Sequence, residues 1–418
     1  MERILMVSYF APPILSAESI LVGKILPELA RHYQIELVAV GDDVDFRKDE
    51  TLAGLMSSEN IEIYRYNNPK PHNKLVRRLY QKSTSIFQDV NEKWMQQVLL
   101  RHKLKWPYKL IYSRSMPGIS HLVAHAFKRK LDIPWVAQFS DPWAHNPYHR
   151  YPLAWMHKVE EQNEAKAIRT ADRLIFPTVE IRDLVASYYP DTDVKGMSVV
   201  LPHYYVEGFY QLAAGTSDGS EKVKAARTED SRVIISYIGD FYGLRTPEPL
   251  LQALEIVEQK APDVTSSIHL KIVGNVEWRF QPLFETYEPR FSATVERVGQ
   301  VPYLQSLAEM KKSDILLLID AASDVNIFLP SKLIDYFGAR KPIMGITSEQ
   351  GTTGSLIRNY GFPVVDPRDS ERIASELIRM VRECEQYRQR AETNDTDMFT
   401  AKSVADELAR LFENTSKA

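Results

Sequence analysis

The sequence lacks most of the features that announce a specialised scaffold. Its 418 residues contain one cysteine, Cys384, which excludes an internal disulfide framework and points to a reducing compartment. The residues around it, 382–390, are nearly all polar, so Cys384 reads as incidental and not as a nucleophile. No apolar run approaches the roughly 20 residues of a spanning helix. The apolar start at Met1 breaks after Ser8 into Tyr-Phe-Ala-Pro-Pro, too soon for a signal-peptide core. A soluble or peripherally attached cytoplasmic chain is therefore expected. There is no excess of either charge: 52 Lys and Arg stand against 55 Asp and Glu, a net −3, and no nucleic-acid partner is expected. Walker-type phosphate loops and the Gly-x-Gly-x-x-Gly fingerprint are missing. Asp-x-Asp triplets at 43–45, 191–193 and 395–397 fall in predicted loops. The histidines have no close zinc spacing with Cys384, so no metal is expected.

What is present is an ordinary globular composition, 44% hydrophobic and 26% charged, arranged as short apolar runs alternating with longer amphipathic segments. That alternation predicts parallel sheets flanked by helices. Strands are predicted at 4–8, 35–40, 61–66, 110–113, 135–139, 173–176 and 198–201, with helices at 19–31, 119–130 and 156–170. Between Gln211 and Asp230 the apolar periodicity fails and Gly, Ser and charged residues mark a linker. The pattern then restarts, with strands at 233–237, 268–273, 295–298, 315–319, 343–346 and 363–365. Helices follow at 247–259, 303–312, 331–337, 354–359 and 369–391. The predicted organisation is an α/β domain over 1–210, a linker over 211–230, a second α/β domain over 231–390 and a C-terminal helix over 391–418 that crosses back to the first domain. In doubly wound folds ligands bind beyond the carboxyl ends of the strands, and two such domains would enclose a cleft.

Two clusters in the second half follow strands. Tyr237–Pro249 brings two glycines, Gly239 and Gly243, and places Arg245 just before Pro247 opens a helix. Fork geometry, positive charge and free helix amides would there act on one anion, such as a diphosphate; the plainer reading is a turn with a solvated arginine. Asn326–Pro342 sets Pro330, Ser331 and Lys332 at the start of a short helix expected to stop at Gly338, with Ser331 as its cap. Asp335, about one turn on, would either accept bonds from paired hydroxyls such as those of a ribose or form a solvated pair with Lys332.

With these residues in view the sequence resembles the retaining GT-B glycosyltransferases of family 4. The Tyr-Ile-Gly strand end at 237–239, the Ile-Val-Gly strand end at 272–274 and the Phe-Leu-Pro-Ser-Lys-Leu-Ile-Asp segment at 328–335 occur in the family's order. The resemblance spans essentially the whole chain. It implies two Rossmann-like domains, a nucleotide-diphosphate sugar as co-substrate held mainly by the second, and an acceptor held mainly by the first. Arg245 and Lys332 would contact the diphosphate, Asp335 the ribose, and the backbone of Phe328 and Leu329 the sugar hydroxyls. Gly239, Tyr242 and Ser331 would line the donor site, and Gly274 and Val301 would lie near the base. No metal or other cofactor is implied. A third cluster, Gln138–Tyr148, resembles the acceptor side: Asp141 stands where the family places a histidine or acid beneath the transferred sugar, with Trp143 and His145 beside it and Arg114 on a neighbouring strand end. The plainer alternative is a capped turn around a packed tryptophan.

The chain also departs from the family. The first of the family's two acids falls at Ile327, the second is Asp335, the glycine pair after the first strand is missing, and Asp240 stands where arginine is frequent. A divergent transferase subgroup and a catalytically weak nucleotide-sugar-binding accessory protein both fit. Finally, Lys70–Lys109 carries ten basic and two acidic residues, a local +8, interleaved with Leu75, Leu79, Tyr80, Phe87, Trp94, Leu99 and Trp106. Such a segment suits either an anionic membrane surface or a solvated helical face. The first would place the protein on the inner face of the cytoplasmic membrane, near a saccharide or lipid-linked acceptor for surface polysaccharide.

Overall fold

The computed structural model describes residues 1–41, 46–68, 92–216, 232–291 and 294–417. They divide into two compact units, Met1–His203 with Ala401–Ala418, and Tyr204–Thr400.

The first unit is built on a parallel sheet of seven described strands in the order β3-β2-β1-β4-β5-β6-β7. These are β1 (Arg3–Ser8), β2 (Gln34–Val40), β3 (Ile61–Tyr66), β4 (Leu110–Ser115), β5 (Trp135–Phe139), β6 (Arg173–Phe176) and β7 (Ser198–Val200). β1, β4 and β5 are almost wholly buried, so they do not alternate apolar and polar residues: Ile4–Val7 and Trp135–Ala137 are unbroken apolar runs, and the polar residues towards the ends of β4 and β5 are buried too. The chain leaves β1 towards β2 on one side and returns to pair β4 with β1 on the other, so the strand order reverses between β1 and β4. A doubly wound sheet opens its ligand crevice at that point. The final helix, Ala401–Lys417, packs on helix Ala17–Leu29 of this unit.

The second unit has a six-stranded parallel sheet in the order β10-β9-β8-β11-β12-β13. Its strands are β8 (Val233–Ile238), β9 (Ile268–Val273), β10 (Val295–Gly299), β11 (Ile315–Ile319), β12 (Ile343–Ile346) and β13 (Val364–Val365). Here the order reverses between β8 and β11. Among the described residues no helix is long and apolar enough to cross a membrane.

Several expected boundaries move. Residues 211–216, expected as linker, complete helix Glu207–Thr216 of the second unit, and 217–231 lie outside the described residues. Ala213 is buried and the helix packs on helices Tyr303–Lys312 and Ser331–Ala339; this tertiary contact outweighs its glycines, Gly208 and Gly215. The helix expected over 369–391 is two, Ser370–Arg382 and Cys384–Thr393, separated at Glu383. The helix expected to stop at Gly338 continues to Ala339 and closes at Arg340 in the left-handed conformation, φ 55°. Gly338 is there for space: a Cβ on it would lie 2.5 Å from Tyr210 Oη and 2.6 Å from the Tyr205 ring. Gly338→Ala is expected to lower stability by about 1–3 kcal/mol despite alanine's better helix propensity, as a reduced denaturation midpoint would register.

Candidate functional site

The donor-type cluster forms at the β8/β11 reversal of the second unit. β8 runs out through Gly239, whose φ of 149° suits glycine, and a Cβ there would sit 3.1 Å from the Lys332 ammonium. Gly274, at the end of β9, packs even closer: its Cβ would lie 2.2 Å from the Gly239 carbonyl oxygen. Asp240 accepts the Asn275 backbone N–H at 2.7 Å and so joins the two loops. Asp240 thus has a structural role in these two loops. Tyr237, buried beneath, stacks on Phe241 at 4.2 Å and donates from its hydroxyl to the Asp240 carbonyl at 3.0 Å.

Lys332 reaches over this platform from the first turn of helix Ser331–Ala339. Its Nζ lies 4.6 Å from the Tyr237 ring centroid and 3.4 Å from the hydroxyl. Burial, and then the Arg245 charge, hold its pKa well below the usual lysine value. Arg245 donates from Nη2 to Asp320 at 3.1 Å and lies over the Tyr242 ring at 5.3 Å. Its buried Nε has no hydrogen-bond partner among the described residues. Asp320 in turn accepts from Asn326 Nδ2 and Thr347 Oγ1, both at 3.1 Å. Helix Ser331–Ala339 begins at Pro330 with no side-chain cap; Ser331, expected to cap it, does not, so the first amides remain available to an anion. Two cations that disfavour one another, an unpaired guanidinium donor and an uncapped helix of nine residues make a site that a diphosphate would relax.

Asp335 is placed otherwise than expected. It is only 4% exposed and accepts the Tyr303 hydroxyl at 3.1 Å, so it is neither paired with Lys332 nor open to a ribose as it stands. The reason is helical phase: position 335 lies on the buried face against helix Tyr303–Lys312. The Phe328 backbone N–H is taken by Asn326 Oδ1 at 3.0 Å and its carbonyl by Thr353 at 2.8 Å. Leu329 is buried, whereas Ser331 and Val301 are partly exposed.

The first unit carries its cluster at the β1/β4 reversal. Arg114, expected as an acceptor contact, is fully buried and donates from Nε to Glu18 at 2.7 Å and from Nη1 to Gln138 at 3.0 Å and the Tyr112 hydroxyl at 3.2 Å. It braces the site from inside. Glu18 also accepts the Ser140 hydroxyl at 2.5 Å. Next along the chain, Asp141 makes no hydrogen bond among the described residues, and burial followed by the Glu18 charge raises its carboxyl to about 7. Trp143, expected on the acceptor wall, is packed inward: it is 4% exposed, its indole donates to Glu160, and it fills the space above Gly118. His145 is likewise drawn in, its ring 3.5 Å from that of Tyr188 and parallel to it.

No protein-family model matches the chain, and no curated protein matches it significantly. Solved structures do. Sucrose-phosphate synthase from Thermosynechococcus elongatus superposes with a TM-score of 0.68 at 15% identity, over 99% of each chain. Anabaena HepE in complex with UDP gives 0.65 at 12%, over 99% of this chain and all of that one. The α,α-trehalose 6-phosphate synthase of Burkholderia multivorans gives 0.66 at 11%, over 100% and 99%. The chain has the GT-B fold.

Within this GT-B chain the sequence located Gly239, Tyr242, Arg245 and Lys332 in one cluster. It missed Asp320, which holds Arg245, and the roles of Asn326 and Thr347, which hold Asp320 in turn, although Asp320 directly follows the apolar run Ile315–Ile319. It also missed Glu18, whose signal was an acid in the first turn of helix Ala17–Leu29, just after the N-cap Ser16. Of the +8 segment, 70–91 lies outside the described residues. In the rest, Lys105 pairs with Glu62, and Lys109 with Glu2 and Glu413, so tertiary contacts offset part of its charge. Of the acidic triplets, Asp43 and Asp45 are likewise outside the described residues.

Proposed function

We propose that this chain is a glycosyltransferase that takes a sugar from a nucleotide-diphosphate donor and passes it to a saccharide or lipid-linked saccharide, with retention, as the resemblance to family 4 implies. The observation that carries this reading is the Arg245–Lys332 pair at the β8/β11 reversal, where a buried Nε has no acceptor among the described residues and a lysine charge is disfavoured until an anion arrives. Solved relatives in fold support it: HepE has been captured with UDP and with UDP-glucose. In a retaining transfer of this kind the leaving phosphate accepts the acceptor's proton. The protein then supplies charge neutralisation and alignment, and no paired carboxylates of the glycosidase type are needed. Asp141, with a carboxyl near half-protonation at neutral pH, would serve as a hydrogen-bonding partner for a hydroxyl on the acceptor side.

A second reading, a nucleotide-sugar-binding accessory protein, is favoured by Ile327, which offers no carboxylate where the family has one. A panel of UDP-, GDP- and dTDP-sugars separates the two. Binding with slow donor hydrolysis, and a product whose anomeric configuration matches the donor's by NMR, is the expected result. Binding without turnover, with or without acceptors, would select the accessory role, and no binding of any donor would remove both. For the membrane contact, Leu100 and Trp106 stand exposed beside exposed Arg101 and Lys103. Co-sedimentation with anionic vesicles at low salt is expected. Its absence would argue against a peripheral location and, with it, a lipid-linked acceptor in surface polysaccharide synthesis.

A further inference from the structure

A second constellation lies in the first unit and involves none of the donor residues. His145 stands in the loop after β5, whereas His157 and Glu161 are one turn apart on helix Ala154–Thr170 and so share a face. The Nε2 atoms of both imidazoles lie 3.7 Å from the same oxygen, Glu161 Oε1. All three ligand-type atoms fall within 4.8 Å of one another. At 3.7 Å neither contact is a hydrogen bond. Around a tetrahedral ion with bonds of about 2.0–2.1 Å, neighbouring ligand atoms stand about 3.3 Å apart, so a small contraction closes the set.

The rings are held by aromatic walls. His145 stacks on Tyr188 with centroids 3.5 Å apart and planes at 1°, His157 lies against Tyr151 at 4.9 Å and 26°, and the two imidazoles meet at 84°. Glu164 Oε2, 4.0 Å from His145 Nε2, is oriented by the Tyr189 hydroxyl at 2.9 Å, and Oε1 of the same carboxylate by the Trp143 N–H at 3.2 Å. It stands ready as a fourth ligand or as the outer partner that ligating imidazoles ordinarily have.

We propose that His145, His157 and Glu161 form a binding site for a divalent transition-metal ion of the Zn2+ type. Two imidazoles and one carboxylate suit such an ion better than Mg2+ or Ca2+, which take all-oxygen shells. The expectation of no metal rested on histidine spacing relative to Cys384, but this set is assembled from a loop and a helix twelve residues further along. Its occupant would tie the loop that carries Asp141 to helix Ala154–Thr170, a structural clamp in the acceptor-type unit.

The test uses the full chain stripped with a chelator and titrated with Zn2+ and Co2+ alone, so its outcome is independent of any donor. Expected are one equivalent of Zn2+, a rise in thermal midpoint, and Co2+ absorption of four-coordinate strength. His157→Ala and Glu161→Gln alter partly exposed side chains. Each is expected to weaken Zn2+ binding at least about 100-fold, more than the loss of a supporting contact usually does. Absence of stoichiometric binding in the wild type, or equal binding by both variants, would overturn the site.

Discussion

Lys332→Met is expected to lower kcat/KM for sugar transfer by about two orders of magnitude or more, as for loss of a charge that acts on the leaving group, while leaving the fold at least as stable as wild type. The two halves of that result have one cause. The Lys332 ammonium is buried beside Arg245, so the folded protein disfavours its charged form; a methionine keeps the stem over Tyr237 without the charge. In the proposed function a bound diphosphate would make the cation an advantage. Activity assays paired with denaturation curves check both. Near-wild-type turnover would remove Lys332 from the donor site, and a large stability loss would mean its stem matters more than its charge. Arg245→Ala is expected to fall by a similar factor but is a less clean probe, because it also leaves buried Asp320 without its cation.

Asp141→Asn is expected to stabilise the protein at alkaline pH and hardly at all in acid. The Asp141 carboxyl rises from its ordinary 3.8 to about 7 on folding, first through burial and then through the Glu18 charge. A raised folded-state pKa means that the unfolded chain releases the proton more readily. The wild type therefore carries no penalty below about pH 4, loses stability as pH climbs towards 7, and bears the full penalty above it. The ceiling is about 4 kcal/mol at pH 8. Urea denaturation of both proteins at pH 4 and pH 8 gives the difference directly. A gap that does not widen with pH would mean that Asp141 is solvated and ionised at neutrality. Other carboxyls titrate in the same range, Glu164 among them at about 7, but they cancel in the comparison.

The elements legible in the sequence were those whose pattern is local. β9 at Ile268–Val273, β11 at Ile315–Ile319 and helix Tyr303–Lys312 fall where their periodicity places them, because β11 is an unbroken apolar run, β9 alternates buried apolar residues with the partly exposed His269 and Lys271, and this helix has one apolar face. Helix ends were harder. Gly338 looks like a stop signal, but its missing side chain admits Tyr205 and Tyr210, which are more than a hundred residues away in sequence. Residues 211–216 look like linker and are helix, because their partners lie on helices a hundred residues on.

The same division runs through the sites. Gly239, Arg245 and Lys332 were visible because turn and helix-start chemistry is written in adjacent residues. Arg114, Trp143 and Asp335 were visible as polar or aromatic groups near strand ends, but which way they face was not. Each is turned inward by a partner distant in sequence: Glu18, Glu160 and Tyr303 respectively. Composition excluded a disulfide scaffold, and periodicity set the class of two α/β units. Only the tertiary structure decided which charges are neutralised, which are left unmatched and therefore available to a ligand, and which histidines meet. The reason is that burial and pairing depend on contacts between segments far apart in the chain, whereas propensity and periodicity act over a few residues.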